Sequence, residues 1–410
     1  MHILLVVSNY YPEIHGASHL YQDLAKGFIK KGHKVSVVTS YPRDYFLQKK
    51  DQEKKFKRYE NVNGVNIYRA SKIEFSRDNL FLRGIEHLFL PLLYLPKAFV
   101  IRDVDFVVIY SPALPLYLFG NFFRFLHNVP YVLNIQDLYP KTLMDVGILT
   151  NPIQIKLFQF FEKRAYKTAD FITVHSEGNL AYISSKGDFK DKSNVIYNWT
   201  DIDELQPSEK NNEFRRDEGI TNKFLVTYVG IMSTHQDLES VVLSGKYIRN
   251  KDIVIYLIGD GIQRGELIKL AEKEQIQNVR FLPLQPKEKY NEILQASDVG
   301  IVSLLKSVDT PVVPAKLLKI MASGTPVLGN VPLKNDTTKI IQNAKCGIAI
   351  SPGNPQQLAQ VIEQFCSLSK EDRNQLGKNG RFYAINHFSV DNAVCQFEMI
   401  YKKIHTDNMV

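Results

Sequence analysis

Residues 309–328 read DTPVVPAKLLKIMASGTPVL, which predicts a Pro-rich loop, a short helix and a Gly-Thr-Pro turn into a buried strand. Pro314 suits the first turn of the helix, because the fixed φ of proline is compatible with that position. Lys316 and Lys319 then lie one turn apart on one face. Cations near a helix start face the partial positive charge of its free N–H groups, so the pattern favours a bound anion. The alternative is a solvated helix face, the commoner situation for a pair of lysines.

The length and composition indicate a globular protein of two domains. At 410 residues the chain is long enough for two separate cores, and its 44% hydrophobic and 23% charged residues are ordinary. The three cysteines lack metal-ligand spacing, which favours a reducing compartment. The apolar start has no basic residue of a signal peptide, and no apolar run reaches the length of a membrane span. We therefore expect a cytoplasmic protein.

The formal net charge of +8 is concentrated towards the N-terminus. Residues 1–80 contain fourteen Lys or Arg and eight Asp or Glu, and six of these cations lie in residues 49–58. A basic surface suits nucleic acid, anionic lipid or a phosphorylated substrate, but no nucleic-acid-binding motif supports the first. Residues 80–101 are rich in Leu and Phe. They predict a core helix, with contact at a membrane interface as the alternative.

Apolar runs alternate with helical periods along both halves of the chain, which predicts α/β domains with parallel sheets. In residues 1–200 the predicted strands are Ile3–Ser8, Lys34–Thr39, Val65–Arg69, Phe106–Ser111, Tyr131–Ile135, Phe171–His175 and Val195–Tyr197. In residues 201–387 they are Phe224–Val229, Ile253–Ile258, Val279–Leu282, Val299–Leu304, the strand that follows Pro326, and Gly347–Ile350. Residues 388–410 predict a break and then an amphipathic helix. The expected architecture is two doubly wound domains facing each other across a cleft.

Several predicted strands end in glycine or polar residues, at the sheet edge where doubly wound domains bind ligands. Gly16 follows the first strand and lets a phosphate approach the backbone, or simply permits a tight turn. Asp137 follows the strand Tyr131–Ile135 and is suited to hold a substrate hydroxyl or act as a base. The alternative role for Asp137 is a helix cap. His19, one helical turn beyond Gly16, is a second candidate, with a packing or surface role as the alternative.

The order of these parts resembles glycosyltransferase family 4, whose members are retaining enzymes of the two-Rossmann GT-B fold. The resemblance covers essentially the whole chain and is carried by Tyr11–Gly16, Gly32–Thr39, Gly259–Gly261 and Met321–Val327. Two further segments, residues 136–140 and 313–317, are similar to a bacterial and archaeal subgroup. That subgroup builds colanic-acid-like and O-antigen polysaccharides, and some of its members transfer fucosamine-type sugars.

The resemblance implies a nucleotide-sugar site in the second domain and an acceptor site in the first. The implied donor-binding residues are Gly16, Gly230, Gln236, Gly259, Leu284, Pro314, Lys316, Leu317 and Lys319. The implied catalytic residues are Asp137 and His19, and the implied acceptor-binding residues are Arg43 and Tyr139. Two Asp-x-Asp pairs, at 103–105 and 201–203, have the spacing of metal-dependent transferases of another fold. We interpret both as structural and expect neither a metal nor another cofactor.

The chain departs from the family pattern at several positions, and the arginine that is usual in the loop after Gly230 is also missing. Pro311 and Lys319 stand where many members carry two glutamates, Gln236 stands where a lysine is usual, and Gln136 replaces a histidine. The positive charge that binds the donor diphosphate is therefore expected to come chiefly from Lys316, with Lys319 and helix N-termini as further contributors.

The expected activity is retaining transfer of a hexosyl or N-acetylhexosaminyl group from a UDP-sugar to a lipid-linked glycan. The expected partners are the nucleotide sugar, the lipid-linked saccharide and the inner face of the cell membrane, bound peripherally. Two alternatives remain: a GT-B sugar-nucleotide epimerase, or a catalytically degenerate partner protein. A two-lobed solute-binding protein would need an export signal, which the sequence does not indicate.

Overall fold

A computed structural model of the protein describes residues 1–13, 16–43, 47, 51, 53–71, 80–111, 113–145, 147–308 and 311–407. Residues 14–15 of the Tyr11–Gly16 motif, residues 309–310 of the Pro-rich loop and much of the basic stretch 43–80 lie outside these residues. The chain divides into two compact units. Unit 1 comprises Met1–Asn198 and Val390–Val410, and unit 2 comprises Trp199–Ser389.

Unit 1 is built on an eight-stranded sheet in the order β3-β4-β2-β1-β5-β6-β7-β8. Its strands are β1 (His2–Val6), β2 (Lys34–Ser40), β3 (Tyr59–Val62), β4 (Val65–Ala70), β5 (Phe106–Ser111), β6 (Tyr131–Ile135), β7 (Phe171–Val174) and β8 (Ser193–Val195). All neighbours pair in parallel except β3 and β4. The central strands β1, β5, β6 and β7 are buried throughout, which explains why their sequences are largely apolar.

Helices cover the sheet of unit 1 through the crossover connections. They are α1 (Gly16–Lys30), α2 (Leu80–Ala98), α3 (Tyr117–His127), α4 (Lys141–Asp145), α5 (Pro152–Thr168) and α6 (Glu177–Lys186). No helix among the described residues is long and apolar enough to cross a membrane. The Leu- and Phe-rich segment forms α2, and its Leu90, Tyr94 and Ala98 lie in the core as predicted.

Unit 2 is built on a six-stranded parallel sheet in the order β11-β10-β9-β12-β13-β14. Its strands are β9 (Phe224–Val229), β10 (Ile253–Ile258), β11 (Val279–Leu282), β12 (Val299–Ser303), β13 (Val327–Asn330) and β14 (Gly347–Ile350). Its helices are α7 (Glu213–Asp217), α8 (Leu238–Ser244), α9 (Arg264–Lys273), α10 (Lys287–Ala296), α11 (Ala315–Ala322), α12 (Asp336–Ala344), α13 (Pro355–Ser367) and α14 (Lys370–Phe388).

The final helix, α15 (Val390–Asp407), belongs to unit 1 and packs on α1. The absence of a side chain at Gly27 permits this contact, because a Cβ there would lie 2.4 Å from Cγ1 of Val390. The rings of Phe28 and Phe397 are 6.1 Å apart, and Nε2 of His33 lies 2.7 Å from a carboxylate oxygen of Glu398.

The α/β class and almost all predicted strands are confirmed, and the differences are local. The strand predicted at Val195–Tyr197 is Ser193–Val195, because β8 ends where Val195 pairs with Val174. Strand β3 was not predicted, since it is a short antiparallel edge strand of mostly polar residues. Helix α12 was also not predicted. Its Thr337 and Thr338 are poor helix formers, but both are buried by packing, which overrides propensity.

Candidate active site

Both sheets have a topological switch point, where successive crossovers leave in opposite directions. In unit 1 the switch lies between β1 and β5, and in unit 2 it lies between β9 and β12. Ligands of doubly wound folds bind outside the carboxyl ends of the strands at such points. The loops that follow these strands carry most of the residues predicted to form the site.

The loops after β9 and β10 are packed backbone against backbone at two glycines. Gly230 has φ +141° and Gly259 has φ +148°, and a Cβ at Gly259 would lie 2.0 Å from the carbonyl oxygen of Gly230. The amide of Gly230 donates to the carbonyl of Ile258 at 2.9 Å. Only glycine fits this conformation and this approach, so the two predicted residues shape the backbone at the switch point.

Lys316 extends across Gly230 from the first turn of α11, which begins directly after Pro314. A Cβ at Gly230 would lie 2.5 Å from Cε of Lys316, so the missing side chain makes room for the lysine. The Nζ atom of Lys316 lies 5.1 Å from the centroid of the Tyr228 ring. The lysine therefore reaches the loop after β9, as the predicted anion site requires.

The Lys316 ammonium has no acidic partner among the residues that the structure describes. Desolvation by the surrounding protein, and secondarily the charge of Lys319, lower its pKa to about 8. The negative charge of a bound anion would oppose both effects and raise the pKa again. Lys319 lies one turn further along, with its Nζ 4.7 Å from the centroid of the Tyr290 ring.

Gln236, which stands in the position of a usual lysine, organises the loop after β9. Its side-chain oxygen accepts from the amide of Ser233 at 2.9 Å and from the hydroxyl of Tyr228 at 2.8 Å. The Tyr228 hydroxyl also lies 2.6 Å from the carbonyl of Ile231. Gln236 thus fixes the tyrosine whose ring lies under Lys316, and its oxygen is occupied within the loop.

The remaining predicted donor residues differ in their surroundings. Gly16 is the first residue of α1, beyond the carboxyl end of β1, and Leu284 is exposed in the loop after β11. Leu317 is enclosed by the protein, and its predicted contact with the donor stays a prediction. The side chain of Leu317 is fully buried. Its amide donates to the carbonyl of Pro314 at 2.9 Å, in the first turn of α11.

Asp137 lies two residues beyond β6 in unit 1, with its side chain exposed at the sheet edge. Among the described residues no donor or cation pairs with its carboxylate. The nearby protein nevertheless desolvates the carboxyl group, which raises its pKa. Tyr110, at the end of β5, has a pKa raised well above its usual value by burial and also by the Asp137 charge. The carboxylate is therefore accessible and not consumed by a structural interaction, as a base or a hydroxyl acceptor requires.

A buried polar network beneath Asp137 was not predicted. The side-chain oxygen of Asn134 accepts from the Tyr21 hydroxyl at 2.6 Å and from the Gln136 amide at 2.9 Å, while its nitrogen donates to Thr173 at 2.8 Å. Asn134 thereby joins α1, β7 and the residue that precedes Asp137. The signal in the sequence was a single asparagine inside the apolar strand YVLNI.

The other residues of unit 1 that were predicted to form the site are His19, Tyr139 and Arg43, and they differ in exposure and in contacts. His19 is exposed on α1, and Tyr139 is half-buried next to Asp137. Arg43, predicted to bind the acceptor, has its guanidinium 2.7 Å from a carboxylate oxygen of the buried Glu86. Its amide donates to the carboxylate of Glu13 at 2.8 Å. Its charge is thus already compensated, which the sequence did not indicate because its partners are distant along the chain.

No cluster of three or more potential metal-ligating side chains occurs among the described residues. In each Asp-x-Asp pair one aspartate has a side chain that accepts from a backbone amide. Asp105 accepts from the amide of His2 at 2.7 Å, and Asp201 accepts from the amide of Asp203 at 3.0 Å.

Two family descriptions match consecutive parts of the chain. Glycosyl transferase 4-like domain matches residues 16–199, and Glycosyl transferases group 1 matches residues 210–382. The chain is 24% identical over 418 residues to the putative colanic acid biosynthesis glycosyl transferase WcaI of Escherichia coli, covering 97% of this chain and 98% of that protein. It is 25% identical over 297 residues to the probable glycosyltransferase WbjE of Pseudomonas aeruginosa, covering 72% and 74%.

A solved structure supports the architecture. HepE of Anabaena, crystallised with UDP, is similar with a TM-score of 0.74 and 16% identity, over 98% of this chain and 100% of that one. At this identity the similarity concerns the fold, and it confirms the GT-B prediction. From the two family matches and from the relative that is matched over nearly its whole length, the chain belongs to the family 4 type of GT-B glycosyltransferases.

Proposed function

We propose that this glycosyltransferase moves a sugar from a UDP-sugar to a lipid-linked glycan, with retention of anomeric configuration. The observation that carries the donor half of the proposal is the partly buried Lys316 ammonium, which has no acidic partner among the described residues and lies against Gly230. A nucleoside diphosphate supplies the missing negative charge. The UDP bound to the structurally similar HepE is consistent with this assignment.

The proposed role of unit 2 is to stabilise the leaving diphosphate. As the glycosidic bond to the donor breaks, negative charge grows on the departing phosphate oxygen. A lysine held in a partly desolvated site interacts with that charge more strongly than a solvated one does. With a pKa of about 8, Lys316 is mostly protonated at neutral pH. We propose that Lys316 and backbone N–H groups perform this role without a metal, which activity in the presence of EDTA tests.

The proposed role of unit 1 is to orient the reacting hydroxyl. Asp137 is exposed, and no cation neutralises it among the described residues. Its raised pKa makes it a better proton acceptor than a solvated carboxylate. We propose that it binds a hydroxyl of the acceptor or of the donor sugar. His19 and Tyr139 remain proposed neighbours of the substrates.

The lipid-linked acceptor and peripheral attachment to the cytoplasmic face of the membrane are the remaining parts of the proposal. They are supported by the excess of cations in the first 80 residues and by the similarity to WcaI, whose name assigns it to colanic acid biosynthesis. Positive charge near a membrane surface attracts anionic lipid headgroups.

One experiment tests the proposed donor and acceptor. The protein is incubated with a panel of nucleotide sugars, with and without a membrane lipid extract, and free nucleoside diphosphate and labelled lipid are measured. Release of UDP together with labelled lipid, only when the extract is present, is the expected result. Conversion of the donor without extract would indicate an epimerase. Nucleotide binding without any turnover would indicate a degenerate partner protein.

A further inference from the structure

Helix α5 exposes an apolar row to solvent. Ile153, Leu157 and Phe160 are 79%, 51% and 62% exposed. Their spacing of four and three residues puts them on one side of the helix. The opposite side packs into unit 1 through Ala165 and Tyr166. Large apolar side chains aligned at helical spacing on a solvent-facing surface indicate a surface that contacts another apolar phase.

The same exposed side of α5 is cationic. Lys156, Lys163, Arg164 and Lys167 are all exposed. None of the four has an acidic partner among the described residues. The one acidic residue of α5, Glu162, is buried and accepts from the Tyr166 hydroxyl at 3.0 Å. The exposed side therefore combines an apolar row with four positive charges and no negative one.

The position of α5 in the chain connects this surface to the candidate site. The crossover from β6 to β7 carries Asp137 near its start and α5 at its end, and it exposes Met144 and Ile148 between them. In a parallel sheet such a crossover starts at the carboxyl edge, so the first turn of α5 lies towards the edge that carries Asp137. The apolar row occupies this first part of α5, and most of its cations follow.

The neighbouring helix adds to the exposed apolar area. Helix α3 packs against α5 and exposes Phe125, which is 87% accessible, together with Leu118. An amphipathic helix that lies in a membrane interface has this composition, with apolar residues that enter the headgroup boundary and Lys or Arg that meet lipid phosphates.

We propose that the exposed side of α5 binds the surface of an anionic phospholipid bilayer, with Leu157 and Phe160 at the headgroup boundary. The combination of an apolar row and charges of one sign favours a bilayer, because its headgroups present negative charge over a continuous surface and its headgroup boundary accepts apolar side chains. The inference extends the proposed function, since it assigns the membrane contact to α5 and directs the edge that carries Asp137 towards lipid-linked acceptors.

The test measures co-sedimentation of the full chain with phosphatidylcholine vesicles, with and without one third phosphatidylglycerol, in the absence of donor and acceptor. The apolar variant is Leu157→Ser/Phe160→Ser, and the charge variant is Lys163→Glu/Lys167→Glu. Matched controls are Phe382→Ser/Ile385→Ser and Lys370→Glu/Lys378→Glu on α14 of unit 2. Phe382 and Ile385 are 72% and 43% exposed and also lie three residues apart, and Lys370 and Lys378 are exposed.

Wild-type protein and both controls are expected to sediment with the anionic vesicles, less so at about 0.5 M salt because the charges are screened. Each α5 variant is expected to bind about tenfold more weakly or worse, since each Lys near an anionic surface contributes appreciably. UDP binding by calorimetry is measured on every variant and should be unchanged, so failure of the membrane contact is distinguishable from failure of the donor site. Equal binding by the α5 variants, equal losses in the controls, or loss of a concentration-dependent dimer in place of vesicle binding would overturn the inference.

Discussion

The ammonium of Lys316 lies 5.1 Å from the centroid of the Tyr228 ring, while the Tyr228 hydroxyl lies 2.8 Å from the side-chain oxygen of Gln236. One tyrosine thus links a residue of α11 to the loop after β9, across the switch point of unit 2. The ring stabilises the cation without neutralising it, because a cation–π contact contributes only about 0.5–2 kcal/mol. The positive charge therefore remains available to an anion.

Replacing Lys316 by Met should weaken UDP binding strongly. A hydrogen bond to a charged group contributes about 1.5–3 kcal/mol, so the dissociation constant should rise roughly tenfold to a hundredfold. Isothermal calorimetry with UDP measures the change. Lys269→Met, on α9 and paired with Glu266, is the control and should bind UDP as wild type does. Undiminished binding by Lys316→Met would remove the lysine from the donor site.

The affinity for UDP should fall as pH rises through the pKa of Lys316. Desolvation lowers this pKa to about 8 in the free protein, so the lysine loses its proton within an accessible range. Bound diphosphate raises the pKa, and binding near pH 8 should therefore take up protons. Calorimetry in buffers of different ionisation enthalpy measures this uptake, and Lys316→Arg should abolish it because Arg stays charged. Affinity that is independent of pH between about 7 and about 9 would contradict the assignment.

Alanine at the two glycines of the switch point should have different effects. In Gly259→Ala the added Cβ would clash with the backbone carbonyl of Gly230, which cannot move easily. Together with the strain of a positive φ, this clash should destabilise unit 2 by about a few kcal/mol. Gly230→Ala meets the flexible end of Lys316 and should displace it, with UDP binding lost beyond what the fall in stability explains. Thermal unfolding and calorimetry separate the two. Gly265→Ala, with nothing within 4 Å of the added Cβ, is the control.

The sequence was sufficient for the fold because its strands are unusually uniform. β5 reads FVVIYS and β10 reads IVIYLI, and both are buried throughout, so their apolar runs are unambiguous. The glycine turns and the position of Lys316 at a helix start could also be predicted from the sequence, because both are local properties of the chain. Strand β3 and helix α12 were not predicted, because they are stabilised by pairing and packing with distant residues and have no clear local periodicity.

The details of unit 1 depended on contacts that no local pattern encodes. Arg43 was predicted to bind the acceptor, but its partner Glu86 is 43 residues away in the sequence. Asn134 was overlooked for the same reason, since Tyr21 lies 113 residues away. Buried polar pairs of this kind are determined by tertiary structure, and only coordinates reveal which side chains remain available for a ligand.

Replacing Asn134 by Leu should destabilise unit 1 and disturb the loop that carries Asp137. The Tyr21 hydroxyl would lose its buried acceptor, and an unsatisfied buried polar group costs about 1–3 kcal/mol. The double variant Asn134→Leu/Tyr21→Phe removes both partners and should recover part of the stability in chemical denaturation. If the double variant were less stable than the single one by the full cost of Tyr21→Phe alone, the two residues would not be coupled.

Replacing Asp137 by Asn should abolish sugar transfer while UDP still binds. The amide keeps the size of the side chain but cannot accept a proton, and loss of a general base typically costs a factor of about 100 to 10,000 in rate. Turnover is measured as labelled lipid product, and UDP affinity is measured by calorimetry on the same preparation. Asp145→Asn is the matched control, because Asp145 lies in the same crossover and pairs with Lys141 on the surface. Transfer at the wild-type rate by Asp137→Asn would exclude this carboxylate as a base, whereas transfer lost together with UDP binding would reassign it to the binding of the donor.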